Sequence, residues 1–298
     1  MLDAHRLPDH SPGSAEWHEQ RRGRIGGSDI APVMGLSPYL SAFSLWHQKA
    51  GLEGGPADTP SMEWGRRLEE PVAQKWAAEH PECDVQWAGA YVHAERDWQL
   101  ATPDRLVLTP DGTVEVLEIK TSRSGDEWGT SGSDEIPVHY RAQVLWYLDA
   151  LGLSQAHVAV LIGGSDYREY TIALDRDDPV QHEETQLMRK AAESFLYSIE
   201  SGERPSIDGA DSTVRTVRRL PDGVDDVTVT ITDELADEYV SARDAESRAK
   251  SHVNETKARI LDAIGNATRA ARPDGRRVAT RTIDKSTGET KSLSPARS

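Results

Sequence analysis

Hydrophobic residues change their spacing several times along the 298-residue chain, and each change marks an element. Over residues 61–80, Trp64, Leu68, Val72 and Trp76 recur every fourth position, the stripe of a helix packed along one side. Pro71 inside that stripe predicts a kink or break around residues 67–70, because proline lacks an amide donor and crowds the preceding turn. Residues 139–151 form a second helix pattern, and residues 179–201 a third with Leu187, Ala191, Phe195 and Ile199 on one face. Between them AHVAVLIGG and REYTIALD read as strands; the first is almost wholly apolar and belongs in the middle of a sheet. Two or three more strands fit the loose alternation of Trp87, Tyr91, Val92 and Trp98 between residues 85 and 108.

Polar and glycine-rich stretches divide the rest. Residues 14–24 make a short helix capped by Ser14 that ends near Gly23. The run IGGSDIAPVMG frees the backbone at two glycines and offers Ser28 as the next N-cap. Amides at that helix start, the Ser28 hydroxyl and Arg21 would seat a phosphate, or would simply form a capped helix beside solvated arginines. Another helix spans residues 41–51, and LEGGPADTP after it is a surface connection. SRSGDEWGTSGSDEIP suits a mobile loop over a site. The chain thus divides into a flexible segment 1–14, a main domain 15–205, an extended connector 206–231 and an appendage 232–298. That appendage is a long helix over residues 232–267 whose alanine-rich seam needs a partner or a second copy, then a basic tail suited to a flexible or edge-strand segment.

Composition narrows the function. A net charge of −16 argues against a general polyanion binder, yet leaves room for a protein that keeps its basic residues inside a cleft. Cys83 is the one cysteine, which excludes an internal disulfide and a cysteine-rich zinc or iron–sulfur site. No apolar run reaches the roughly 18 residues of a membrane span, and MLDAHRLPDHSPGS lacks a signal-peptide profile, so a cytoplasmic location is expected. All eight tryptophans lie between Trp17 and Trp146, which puts the packed core in the first two-thirds.

Candidate chemistry is concentrated in residues 101–122, ATPDRLVLTPDGTVEVLEIKTS. On a strand Glu118 and Lys120 share a face while Ile119 turns to the core. A hairpin through the Pro110, Asp111, Gly112 turn would bring Asp104 beside Glu118, giving two hard oxygen ligands for a divalent cation. Lys120 would orient or deprotonate a water there, the minimum equipment for phosphodiester hydrolysis. The plain alternative is an ordinary turn followed by an exposed ion pair, but the apolar surroundings of VEVLEIKTS make such a pair costly without a purpose.

Five blocks in order, EQRRGRIGGSDIAPVMGLSPY, WGRRLEEPVA, ATPDRLVL, VLEIKTS and HYRAQVLWYL, resemble the YqaJ-like viral recombinase and phage lambda exonuclease family of the PD-(D/E)xK nuclease superfamily. The likeness covers roughly residues 15–205. It implies an α/β fold, a restriction-endonuclease-like core with a central mixed sheet flanked by helices, here with a helical C-terminal extension. By that resemblance Asp104 and Glu118 would bind Mg²⁺, with Mn²⁺ as a substitute, assisted by the Ile119 backbone carbonyl and by the nearby Glu69. Lys120 would act on the attacking water. Gln143 matches a glutamine on the following helix, Tyr140 the aromatic residue one turn earlier, and Arg21 and Ser28 the positions that hold a terminal 5′-phosphate. The implied activity is digestion of double-stranded DNA from 5′ ends, leaving 3′ strands for a single-strand annealing protein, with a ring-shaped homo-oligomer as the family's assembly. An endonuclease or repair nuclease of the same superfamily, and a non-catalytic DNA-end-binding scaffold, are the alternatives.

Overall fold

Side-chain oxygens set where most helices begin. Ser14, Ser41, Thr59, Asp178 and Thr232 each accept an amide from the first turn that follows. The computed structural model describes residues 2–53, 59–220 and 223–296, and the chain forms two units, Met1–Gly223 and Val224–Ser298. Unit one opens with β1 (Ala4–Arg6), α1 (Ala15–Arg21), α2 (Gly27–Val33), α3 (Ala42–Lys49) and α4 (Pro60–Glu79). Five strands follow, β2 (Asp84–Trp87), β3 (Tyr91–His93), β4 (Leu100–Ala101), β5 (Arg105–Leu108) and β6 (Val114–Ser122). Then come α5 (Val138–Leu151), β7 (Gln155–Ile162), β8 (Asp166–Ala173), α6 (Pro179–Ser201) and α7 (Asp211–Arg219).

The main sheet has the order β2-β5-β6-β7-β8, antiparallel throughout except for the parallel β6–β7 pair. A parallel pair needs a crossover, and α5 supplies it. Alternation along β6 sends Leu117 and Ile119 to one face, where they pack with Val72 and Trp76 of α4. Val116 faces the other way into the larger core with Leu145 and Leu148 of α5. The apolar β7 is an interior strand, paired on both sides by β6 and β8. Fold class is as expected: α/β with a central mixed sheet and flanking helices.

Several local expectations need correction. Pro71 lies inside α4, which continues unbroken from Pro60 to Glu79. The buried Val72, Ala73 and Trp76 just beyond it hold the helix on the sheet and outweigh one missing hydrogen bond. The first residues are not wholly free, since β1 pairs with β3 in a sheet of order β1-β3-β4 and the Asp3 amide donates to the Leu151 carbonyl. Three strands, β2, β3 and β4, lead into Asp104 as expected, and β5 begins just beyond it. Connector residues 206–231 contain α7. Residues 54–58 of the Gly- and Pro-rich connection lie outside the described residues.

In unit two, α8 (Asp233–Ile264) is one continuous helix with no buried residue. The basic tail is neither unstructured nor an edge strand of the main sheet. β9 (Arg269–Ala271), β10 (Arg277–Ile283) and β11 (Thr290–Pro295) form their own antiparallel sheet, with Ala279 and Leu293 buried. Turns at Gly275 and Gly288, both at positive φ, reverse the chain between them.

Candidate active site

Register between β5 and β6 builds the centre. Arg105 pairs with Leu117, so Asp104 arrives beside Glu118, and Asp104 Oδ2 accepts the Ile119 amide at 2.7 Å. Leu117 and Ile119 face α4, and the residue between them, Glu118, must face α5. There Gln143 Nε2 donates to Glu118 Oε1 at 2.7 Å, and Lys120 Nζ donates to the same oxygen at 2.6 Å. Lys120 also reaches Gln143 Oε1 at 3.2 Å and stands 4.8 Å over the Tyr140 ring. Gln143 spends its second amide hydrogen on the Tyr147 hydroxyl at 2.9 Å, and Tyr147 is hydrogen-bonded in turn to Thr102.

Charge in this network is costly and paired. Burial, and then the neighbouring Glu118 carboxylate, push the Asp104 carboxyl well above its ordinary range. Burial works against the Lys120 cation, but Glu118 and Asp104 outweigh it and raise its pKa. Tyr140, desolvated by burial, is pushed up to about 12. Glu118 Oε2 is buried without a hydrogen-bond partner among the described residues. Such an orphaned carboxylate oxygen beside a second carboxylate suits a hard divalent cation, which would relieve the desolvation of both. Among the described residues no cluster of three or more His, Cys, Asp or Glu side chains is arranged to hold a metal alone, so the seat would comprise two carboxylates plus backbone, water or phosphate oxygens.

The centre lies in a cleft of about 1340 Å³ that Glu69, Arg21 and Ser28 also line. Glu69 does not join the Glu118 network. Its Oε1 accepts from Arg105 Nη1 at 2.9 Å. Arg21 donates to the Thr102 hydroxyl at 3.2 Å and lies 4.3 Å over the Trp17 ring, with no carboxylate partner among the described residues. Ser28 is exposed and is not an N-cap. The cap of α2 is Gly26, whose amide Asp29 accepts at 2.8 Å, because Lys49 holds the Asp29 carboxylate at 2.7 Å. SRSGDEWGTSGSDEIP does not line the cleft; it packs aside, with Trp128 buried against Tyr140 and Tyr170.

An acidic pair, a lysine and a buried glutamine across β5, β6 and α5 make a pattern that can be compared with known proteins. Residues 16–154 match the YqaJ-like viral recombinase domain. The uncharacterized protein YqaJ of Bacillus subtilis (strain 168) is 29% identical over 209 residues, 68% of this chain. This chain spans 62% of that relative's length. Among solved structures, an alkaline exonuclease from Laribacter hongkongensis superposes with a TM-score of 0.51 at 18% identity, covering 70% of this chain and all of the other. Its complex with dAMP gives 0.50 at 19% identity with the same coverage. The five-stranded sheet and its helices therefore share the fold of that exonuclease.

Three residues that support the Asp104–Glu118–Lys120 centre were not singled out from sequence. Arg105 is buried and divides its guanidinium between Glu69, the Asp104 carbonyl at 2.7 Å and Glu70 at 2.7 Å, with Trp87 beneath it at 4.5 Å. Tyr147 looks like one more core residue of α5, but its hydroxyl fixes Gln143. Lys49 staples the domain's N-terminal loop, donating to the Arg24 carbonyl at 2.6 Å as well as pairing with Asp29. Arg105 and Tyr147 are polar groups buried among apolar neighbours, the one signal available beforehand.

Proposed function

We propose that this protein is a divalent-metal-dependent deoxyribonuclease that digests duplex DNA from its 5′ ends and leaves 3′ strands for a single-strand annealing protein. The observation that carries the reading is the convergence of Asp104, Glu118 and Lys120 in one buried network, with Glu118 Oε2 unpartnered, in a cleft lined by arginines. The matched recombinase domain, and the dAMP bound to an exonuclease of the same fold, support nucleic acid as the substrate.

Asp104, Glu118 and the Ile119 carbonyl would hold Mg²⁺, or Mn²⁺ in its place. What a bound cation supplies is Lewis-acid polarisation of a phosphate and of the attacking water. Gln143, fixed by Tyr147, holds Glu118 Oε1 in place. Lys120 retains its proton under the field of the two carboxylates, which favours an orienting and charge-neutralising role over proton abstraction. Arg21 and Ser28, on the cleft wall, would take the terminal 5′-phosphate. Arg105 keeps Glu69 beside the centre without making it a ligand in its own right.

The test is purified protein with linear duplex, with or without a 5′-phosphate, in Mg²⁺ or EDTA. Nucleotides should leave 5′ ends in Mg²⁺ alone, and Lys120→Ala should slow turnover by about 10²–10³-fold, the usual cost of one donor aimed at developing charge. Cleavage of closed circles would point instead to an endonuclease, and binding without turnover to a scaffold.

A further inference from the structure

The cleft is larger than the about 300–1,000 Å³ of a typical small-molecule site, and one wall lies outside the matched recombinase domain. That wall is α7. Its inner face is made of hydroxyls instead of apolar side chains. The Ser41 amide donates to Ser212 Oγ at 2.9 Å, Thr213 and Ser41 hydroxyls meet at 2.7 Å, and Thr216 bonds Ser44 at 2.9 Å and Glu53 at 2.6 Å. Ser41, Ser44, Ser212, Thr213 and Thr216 are all buried, so the helix is fixed on α3 by directional bonds and its outer residues have a defined aim.

Those outer residues carry charge into the cleft. Asp211, Arg215 and Arg219 fall at four-residue steps, one stripe along the helix, and all three line the cavity that also holds Asp104, Glu118 and Lys120. Arg219 is paired with Glu53 at 3.3 Å. Arg215 is exposed, and its guanidinium has no hydrogen bond or ion pair among the described residues. Arg218, beside Arg219 in sequence, does not line the cleft. An unpaired guanidinium on a fixed wall, facing a cavity of about 1340 Å³, is suited to a phosphodiester of a polymeric strand.

We propose that α7 is a second phosphate-binding wall of the cleft, with Arg215 contacting the backbone of the bound DNA strand away from the metal-binding carboxylates. This rests on the nucleic-acid reading above. Arg215 positions substrate and takes no part in the reaction, so its loss should be felt in binding and not in turnover of bound DNA.

The experiment uses the full chain and a fluorescein-labelled duplex, with Kd measured by anisotropy in EDTA over a range of salt. Arg215→Ala should weaken binding about tenfold and make log Kd against log salt shallower by about one unit. Arg215→Lys should restore the slope, and Arg218→Ala should leave affinity and slope at wild-type values. In Mg²⁺ the Arg215→Ala protein should show a raised KM with kcat within about twofold of wild type. Equal Kd and slope for wild type and Arg215→Ala, or equal effects of Arg215→Ala and Arg218→Ala, would overturn the assignment while leaving the nuclease reading intact. A wild-type chain that neither binds nor cuts DNA would overturn both.

Discussion

Asp104 is where stability and chemistry oppose each other most directly. Its carboxyl is buried, lies against Glu118 and titrates well above its ordinary value of 3.8. A group whose pKa is higher folded than unfolded holds more protons in the folded state. Its favourable contribution is therefore complete below pH 3.8 and is lost as pH rises toward the folded value, so at neutral pH the Asp104 carboxyl costs stability in the absence of a cation. Asp104→Asn should lower turnover by at least about 10²-fold. In EDTA at pH 7 it should also raise the thermal midpoint, a gain that shrinks in acid. Calorimetry across pH, paired with a nuclease assay, checks both, and a variant less stable than wild type at pH 7 would contradict the desolvation argument.

Element packing holds the Gln143 face of α5 in place. Gly27 at the start of α2 abuts Tyr147, and a Cβ there would sit 2.3 Å from the tyrosine ring. Gly27→Ala should therefore cost about 1–3 kcal/mol by overpacking. Because Tyr147 fixes Gln143 and Gln143 fixes Glu118, it should also lower kcat. Adding Tyr147→Leu should recover much of the stability without the activity, an outcome that thermal melts and steady-state rates separate. The same elements show what could be read beforehand. Asp104, Glu118 and Lys120 were legible because strand alternation and a Pro-Asp-Gly turn leave little choice of geometry. α7 was not, since Ser212, Thr213 and Thr216 face inward while Val214 and Val217 face solvent, which inverts the pattern that hydrophobic periodicity detects. Pro71 misled for a related reason: local propensity marks a break, and tertiary packing of Val72 and Trp76 overrides it.

Charge and cores are divided unequally over the whole chain. Val224–Ser298 has as many basic as acidic residues, so the net charge of −16 belongs to Met1–Gly223, the unit that contains the cleft. Within this acidic unit Arg21, Arg66, Arg215 and Arg219 line the cleft among six carboxylates, so on the proposed function DNA is held by a few local arginine contacts and not by a broad positive surface. Both main hydrophobic clusters, the Asp104–Glu118–Lys120 network and the α7 wall all lie before residue 221. α8, by contrast, buries none of its residues, and its exposed Leu235, Tyr239 and Val253 contribute nothing to those cores. A chain ended after Gly223 should therefore unfold in one cooperative transition, retain Mg²⁺-dependent cleavage within about twofold, and keep the wild-type salt dependence of binding. Loss of cleavage with a melt that stays cooperative would contradict the reading that residues 1–223 are sufficient for the proposed chemistry.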